Sequence, residues 1–145
     1  MAKVYKMGAG TRAINAVFRR LTSFGLGASY RRVLTVPGRK TGRLYSTPVD
    51  VMDHDGRLWL VAGYGPANWV SNARAAGRVT LTRGKERANY EVRDAGPSEA
   101  VPVLRQYMRQ VRVTRAYFDA SPDGSDAEIA AELPRHPVLR LDPLP

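Results

Sequence analysis

The sequence predicts a small antiparallel β-barrel of the α+β class, and three observations lead to this prediction. From position 31 onwards, short runs rich in β-branched and aromatic residues are separated by turn residues, as in an antiparallel meander. The helical stretches are inserted late rather than alternating with the strands, which disfavours a parallel sheet. The chain has 145 residues, 43% of them hydrophobic, which is enough for one compact domain with a hydrophobic core.

The chain is expected to form a single domain (residues 1–145) that begins with a flexible lead-in at residues 1–10. Thr11 can cap a helix that runs to about Phe24, because glycines follow as stop signals. The helix carries an apolar stripe of Ile14, Val17, Phe18 and Leu21, flanked by Arg12, Arg19 and Arg20. Such an amphipathic helix either packs on the core or rests on an anionic membrane, so peripheral membrane contact through residues 11–24 stays open.

Six strands are expected, at residues 32–36, 45–52, 58–62, 79–82, 86–92 and 138–141. Residues 53–56 (Asp-His-Asp-Gly) form a turn by composition and connect the second and third strands. Arg83 and Gly84 form the turn between the fourth and fifth strands. Trp59 alternates with two leucines in the third strand and is therefore expected in the core.

Three further helices are expected between these strands. Residues 68–76 form a short helix that ends at the following glycine. Residues 96–98 (Gly-Pro-Ser) open a longer helix with one apolar side. Ser125, with Glu128 three residues later, forms a capping box for a last short helix, which Pro134 ends. The apolar side of the longer helix consists of Val103, Leu104, Tyr107, Met108 and Val111.

The positive charge of the chain is concentrated in its first third. The chain has 23 Lys and Arg against 13 Asp and Glu, a formal net charge of +10. Residues 1–50 hold ten of these bases and a single acid, Asp50, a net of +9, whereas residues 51–145 have a net charge of only +1. Nineteen of the bases are arginines, which favour bidentate contacts with phosphate or carboxylate. An anionic partner is therefore expected: a nucleic acid, an acidic membrane surface or a polyanionic small molecule.

The cysteine and histidine counts exclude several kinds of site. There is no cysteine, so disulfides, thiolate metal sites and cysteine nucleophiles are excluded. The two histidines cannot form a three-histidine metal centre, and no metal is expected. His54 is expected in a solvated turn and His136 at the start of a strand. No stretch approaches the roughly 20 apolar residues that span a bilayer, and no secretion signal is visible, so a cytoplasmic location is expected.

The most informative segment lies between the first two strands, where residues 37–43 read Pro-Gly-Arg-Lys-Thr-Gly-Arg. Its two glycines allow backbone conformations that bring N–H groups close to a ligand. Arg39, Lys40 and Arg43 supply positive charge, and Thr41 supplies a hydroxyl group. The segment is not a Walker loop, because the spacing differs and no helix follows. It is therefore expected to be either a phosphate- or carboxylate-binding loop or an exposed hairpin without a ligand.

Other residues extend this motif. Residues 38–42, followed by Thr47-Pro48 in the next strand and then by Trp69 and Asn72, resemble the deazaflavin-dependent nitroreductase family. The resemblance covers roughly residues 11–141, including the closing strand. It implies a split β-barrel that binds the reduced deazaflavin coenzyme F420.

The resemblance also implies a role for each matching position. Arg39, Lys40 and Thr41 would hold the phosphate and the acidic tail of the coenzyme. Arg43 would add a tail contact, because Tyr45 stands where family members often have another base. The positions implied along the coenzyme groove and around the ring are Thr47, Pro48, Ala62, Gly63, Tyr64, Gly65, Trp69 and Asn72. A phosphate joined to several glutamates is a polyanion, which fits the charge of residues 1–50.

The reaction that the resemblance implies is hydride transfer from the reduced coenzyme to an activated alkene, a quinone or a nitro group, and the cofactor carries this chemistry. A proton must follow the hydride, from water or from a hydroxyl group such as that of Tyr117, with Tyr64 and Tyr107 as alternatives. The nitroreductase that names the family has a cluster of tyrosines late in its chain. The comparable stretch here, residues 115–119, retains only Tyr117. Activity on the same nitro compounds therefore does not follow.

Several alternatives stay open. The protein could bind the coenzyme without turnover, as a carrier. FMN is a competing cofactor, because related split barrels bind it. The chain could be a monomer or a homodimer. A nucleic-acid-binding module is the least favoured alternative, since the aromatic residues among positions 1–50 lack the spacing of a recognised motif, and no nucleic acid is expected as a partner.

Overall fold

The computed structural model describes residues 29–145, and six of their segments form a closed antiparallel barrel. The strands are β1 (Arg31–Pro37), β2 (Leu44–His54), β3 (Arg57–Val61), β4 (Arg78–Arg83), β5 (Glu86–Asp94) and β6 (Val138–Pro143). Their order around the barrel is β1-β2-β3-β6-β5-β4, and β4 pairs with β1 to close it. The predicted α+β barrel of six antiparallel strands is confirmed. The predicted lead-in and N-terminal helix lie outside the described residues.

Four helical segments connect the strands. They are α1 (Asn68–Ala76), α2 (Pro97–Gln110), a 3-10 helix (Arg112–Tyr117) and α3 (Asp126–Ala130). The first lies between β3 and β4, and the other three lie between β5 and β6. The predicted bounds of α1 are confirmed, and Gly77 ends this helix with a φ of 72°, a left-handed conformation that favours glycine.

The core has two parts, which lie on opposite faces of β2 and β3. Val49 and Val51 belong to the cluster inside the barrel, whereas Met52 belongs to a second cluster between the barrel wall and α2. Trp59 is 4% exposed and lies in this second cluster, so its predicted burial is confirmed. Burial of each large apolar side chain of this kind stabilises the fold by roughly 1.5–3 kcal/mol. Helix α2 is therefore fixed against the outside of β2, where the candidate site begins.

Two predicted turns are shifted along the chain. Strand β2 continues through His54, and the turn consists of Asp55 and Gly56, which have φ values of 55° and 71°. The type I′ form of a two-residue hairpin turn has positive φ at both positions, and Asp and Gly tolerate it. The prediction that His54 lies in a solvated turn is therefore wrong, because its ring Nδ1 lies 2.8 Å from Oε1 of Gln106 in α2. The second turn lies one residue later than predicted, after Arg83.

The last helix begins as predicted and ends earlier. The Ser125 side chain accepts a hydrogen bond from the Glu128 backbone N–H, and the reciprocal bond completes the capping box. Helix α3 ends at Ala130 rather than at Pro134, and the following residues continue in turns. Within residues 29–145, no helix has the length and the apolar character needed to cross a bilayer.

Candidate functional site

Two adjoining cavities form a groove along one side of the barrel. The first, which we call the loop cavity, has a volume of about 450 Å³ and lies between residues 38–47 and the start of α1. The second, which we call the Asp50 cavity, has a volume of about 140 Å³ and lies between β2 and the loop after β3. Thr47, Ala67 and Trp69 line both cavities. A single elongated ligand could therefore extend from one cavity into the other.

The cationic loop (residues 38–43) forms one wall of the loop cavity and is held by its own backbone. The Gly38 N–H donates to the Arg43 carbonyl at 2.7 Å, and the Gly42 N–H donates to the Gly38 carbonyl at 2.9 Å. Gly42 has a φ of 76°, which a residue with a Cβ adopts only with strain. The glycine spacing of the motif is therefore explained by a tight loop that exposes its side chains at the end of β1.

Asn72 of α1 fixes the orientation of Arg39 in this loop. The Asn72 carboxamide oxygen accepts hydrogen bonds from the Arg39 backbone N–H at 3.1 Å and from its guanidinium group at 2.8 Å. Asn72 is 6% exposed, so its oxygen is held in place by the surrounding helix and barrel. The partner of the guanidinium group is a neutral amide oxygen, so this contact does not offset the positive charge of Arg39 beside the cavity.

The three cations of the loop lack an acidic partner among residues 29–145. Eight other arginines of the described residues form ion pairs, namely Arg31, Arg57, Arg74, Arg93, Arg105, Arg109, Arg135 and Arg140. No described carboxylate lies within ion-pair distance of Arg39, Lys40 or Arg43, and no acid precedes Asp50 in the sequence. Positive charge that the protein does not neutralise attracts anions, so this end of the groove suits a phosphate or carboxylate group.

The Asp50 cavity contains a carboxyl group that the sequence analysis did not select. Asp50 is 7% exposed, and its two oxygens accept hydrogen bonds from the Arg31 guanidinium group at 3.3 Å and from the Tyr107 hydroxyl group at 2.8 Å. Burial raises the pKa of Asp50 above its ordinary value, while the Tyr107 hydroxyl and Arg31 oppose this shift. Its signal in the sequence was its position as the only acid among residues 1–50.

The loop after β3 approaches helix α2 closely at Gly63. A Cβ atom at this position would lie 1.7 Å from the Tyr107 hydroxyl oxygen, so a side chain cannot be placed there without displacing Tyr107. Burial and the charge of Asp50 raise the pKa of Tyr107 far above that of a free phenol. Tyr107 is fully buried and is not among the lining residues of either cavity. The prediction of Tyr107 as an alternative proton donor requires direct contact with a ligand, and this position does not provide it.

A buried histidine holds the same loop from its other side. His136 is 1% exposed, with Nδ1 lying 3.0 Å from the Ala62 carbonyl oxygen and Nε2 lying 2.8 Å from that of Tyr117. Its ring stacks on Phe118 with a centroid separation of 3.7 Å. The prediction placed His136 near the start of a strand, which is correct, but the sequence did not indicate that it joins two segments of the site.

Glu132 stabilises the second of these segments. One oxygen of its buried carboxylate accepts from the backbone N–H groups of Asp119 and Ala120, both at 2.7 Å, and the other accepts from Arg135 at 2.6 Å. These bonds fix the chain just after the 3-10 helix. Tyr117, at the end of that helix, packs edge-on against Tyr64, with ring centroids 5.2 Å apart.

The structure brings most of the predicted site residues together. The predicted residues that line the loop cavity are Arg39, Lys40, Thr41, Thr47, Trp69 and Asn72, and those that line the Asp50 cavity include Pro48, Ala62, Gly63, Tyr64 and Gly65. Arg43 does not line either cavity, and Tyr45 lines the loop cavity instead. Tyr117 contacts the lining residue Tyr64 without lining a cavity itself.

The arrangement suits a ligand with two unlike ends. One end meets unneutralised cations, and the other meets backbone groups, Trp69 and the buried carboxyl of Asp50. A planar ring joined to an anionic tail has this character. Because Gly63 has no Cβ, the loop after β3 can lie against Tyr107, and Gly63 lines the Asp50 cavity.

Comparison with known proteins places the chain in a family. Residues 11–136 match the family model described as F420H(2)-dependent quinone reductase. A solved F420-H2 dependent reductase is 22% identical, with a TM-score of 0.50 over 79% of this chain and 95% of that one. A protein described as a domain-swapped dimer is 14% identical, with a TM-score of 0.58 over 88% of this chain and 92% of that one.

A third similar structure is an FAD-binding protein from Mesorhizobium loti. It is 14% identical, with a TM-score of 0.52 over 90% of each chain. At these identities the three similarities are similarities of fold, and they confirm the split-barrel architecture that the sequence predicted.

Proposed function

Because the chain belongs to the F420H(2)-dependent quinone reductase family, we propose that it transfers a hydride from reduced coenzyme F420 to a quinone, with an activated alkene or a nitro compound as further substrate classes. The members of this family are F420H2-dependent reductases, so the chain is assigned to the oxidoreductases. When bound, the coenzyme supplies the hydride. The residues of the chain would bind and orient the coenzyme and would deliver the proton that accompanies the hydride.

One observation supports the proposal more than any other: the cationic loop opens onto the groove without an acidic partner among the described residues. Arg39, Lys40 and Thr41 would bind the phosphate and the acidic tail. The Arg39 side chain is already oriented by Asn72, so less conformational freedom is lost on binding. Arg43 is exposed at the last position of the loop, and it would contact the far end of the tail.

The ring would lie beside the loop after β3. Trp69 and Thr47 line both cavities and would contact the coenzyme where it passes from one cavity to the other. Ala62, Gly63 and Gly65 line the Asp50 cavity, where these small, uncharged residues leave room for a flat ring. The Ala62 N–H is already bonded to Pro137 and its carbonyl to His136, which keeps this wall rigid.

Tyr64 and Tyr117 would close the ring end of the groove. Tyr64 is 38% exposed and lines the Asp50 cavity, and the edge-on packing of Tyr117 limits its movement. A quinone could stack between such aromatic side chains and the ring. As a source of the proton, Tyr117 stays an alternative to water and to a carboxyl group of the groove; its ring packs edge-on against Tyr64 and lines neither cavity.

Titration of the purified chain with oxidised F420 and, separately, with FMN tests the proposal. Trp69 lines the groove and Trp59 is buried in the core, so we expect coenzyme binding to quench part of the tryptophan fluorescence. Tight binding of F420, weaker binding of FMN, and oxidation of F420H2 by menadione are the expected results. Binding without oxidation would support the carrier alternative, and preference for FMN would contradict the cofactor assignment.

Association of the chain with itself or with a membrane is a separate proposal. The sequence is compatible with a monomer or a homodimer, and one protein of similar fold is a domain-swapped dimer. Contact with a membrane through residues 11–24 also stays a prediction. Sedimentation of the full chain, alone and with anionic vesicles, measures both.

A further inference from the structure

Asp50 belongs to the inside of the groove rather than to the solvated surface. It lines the Asp50 cavity together with the loop after β3, and it is 7% exposed. By the proposed function, the ring and the hydride acceptor would meet in this cavity, beside the carboxyl group of Asp50. We propose that Asp50 is the acid–base residue of the reduction, which delivers the proton that accompanies the hydride. This inference rests on the proposed function.

The surroundings of Asp50 keep its carboxyl group in one orientation. Arg31, its cross-strand neighbour on β1, donates to Oδ1, and Tyr107 of α2 donates to Oδ2. Each oxygen retains a further lone pair that can meet a ligand in the cavity. Among the described residues, the charged and titratable groups that act on Asp50 are Arg31 and Tyr107. Tyr64 interacts electrostatically with Tyr107 and so influences Asp50 only indirectly.

Asp50 is the only carboxyl group among the described lining residues of its cavity. The other titratable residues there are Arg31 and Tyr64. An arginine does not release its proton in proteins, and a phenol ordinarily does so only near pH 10. Burial raises the pKa of Asp50, which moves its titration towards neutral pH, where an acid catalyst is effective. The position of Asp50 in the cavity and its capacity to donate a proton therefore both support it as the acid.

The proton and electron balance is simple for a quinone. The quinone gains two electrons and one proton as a hydride supplied by the bound coenzyme, and its reduced oxygen gains a second proton from the Asp50 carboxyl group. The O–H bond of Asp50 breaks, and its electron pair stays on the carboxylate. Solvent returns a proton to Asp50 and takes up the proton that oxidation of the coenzyme releases. The products are a hydroquinone and the oxidised coenzyme.

The test compares Asp50→Asn with a matched variant, Asp53→Asn. Asp53 lies on the same strand, is exposed and does not line either cavity. We expect Asp50→Asn to bind F420 within about threefold of the unmodified chain and to lower kcat with menadione about a hundredfold or more. Asp53→Asn should change neither property by more than about twofold.

A second variant tests the role through the pH profile. The fraction of protonated Asp50 falls as pH rises through its pKa, so kcat should fall over the same range. The Tyr107 hydroxyl favours the carboxylate, and its removal in Tyr107→Phe should raise the pKa of Asp50. The fall in kcat should consequently move to higher pH. A residue with only a structural role would lower kcat without moving the profile.

A third measurement needs no coenzyme. Carbon-13 NMR of the carboxyl groups in the free protein should show one aspartate that titrates above the ordinary range and is missing from the Asp50→Asn spectrum. The inference is overturned if the unmodified chain oxidises F420H2 while Asp50→Asn retains its kcat. If Asp50→Asn does not fold, an unmoved pH profile in Tyr107→Phe overturns it instead. Failure of the unmodified chain to bind or oxidise the coenzyme overturns the proposed function itself, and this inference with it.

Discussion

The carboxamide oxygen of Asn72 accepts two hydrogen bonds from Arg39, one from its backbone N–H at 3.1 Å and one from its guanidinium group at 2.8 Å. One side chain of α1 thereby fixes both the path of the cationic loop and the direction of its first arginine. Helix α1 also carries Trp69, which lines both cavities. The helix thus contributes side chains to both cavities of the groove.

Exchange of Asn72 for aspartate separates geometry from charge at this contact. Asn72→Asp retains an oxygen that can accept both hydrogen bonds, yet it adds a negative charge beside Arg39. We expect F420 affinity to fall about tenfold or more, roughly 1.4 kcal/mol. Asn89→Asp, an exposed change on β5, serves as the control for added charge and should have little effect. Equal affinities for the Asn72 variant and the unmodified chain would argue against tail binding at this loop.

Gly63 is expected to tolerate no side chain. A Cβ at this position would lie 1.7 Å from the Tyr107 hydroxyl oxygen, and Tyr107 is held by Asp50 and the core. Gly63→Ala should lower the free energy of unfolding by about 1–3 kcal/mol, measured by urea denaturation. Gly96→Ala is the control, because a Cβ there meets nothing within 4 Å and φ is −69°. A stable Gly63→Ala protein would show that Tyr107 moves more freely than its contacts indicate.

Asp50 should make folding stability depend on pH in a defined direction. Its pKa is raised in the folded state, so between the unfolded value, about 3.9, and the folded value the native chain binds more protons than the unfolded chain. The contribution of Asp50 to the free energy of unfolding therefore decreases as pH rises through this window. The Asp50→Asn protein lacks this contribution. As pH rises through the window, the free energy of unfolding of the unmodified chain should therefore fall relative to that of the variant. A difference that shifts towards the unmodified chain would indicate a lowered pKa.

Local sequence signals predicted the elements whose ends they define. The end of α1 was predictable because Gly77 takes a left-handed conformation, and the start of α3 was predictable because Ser125 and Glu128 cap each other. The turn after β2 was placed too early, because the choice between Asp53 and Asp55 depends on which residue adopts positive φ. Composition alone does not determine this.

Long-range contacts account for the site features that the sequence did not predict. Asp50 lies between two valines in a buried strand, and only the docking of α2 brings Tyr107 to it from 57 positions away. His136 joins Ala62 to Tyr117 across 74 and 19 positions. The cationic loop, by contrast, is contiguous in sequence. Its residues and their charge were therefore visible before the fold was known.

The affinity of the chain for F420, compared between Lys40→Ala and Lys85→Ala, tests the central claim most directly. Each variant removes one lysine, but Lys40 lines the loop cavity and Lys85 lies in the turn between β4 and β5. We expect Lys40→Ala to weaken binding about tenfold or more with the fold intact, and Lys85→Ala to leave it nearly unchanged. A deazaflavin that lacks the phosphate and glutamates should bind both variants alike. Unchanged F420 affinity in Lys40→Ala would contradict the assignment of the loop as the coenzyme's anion site.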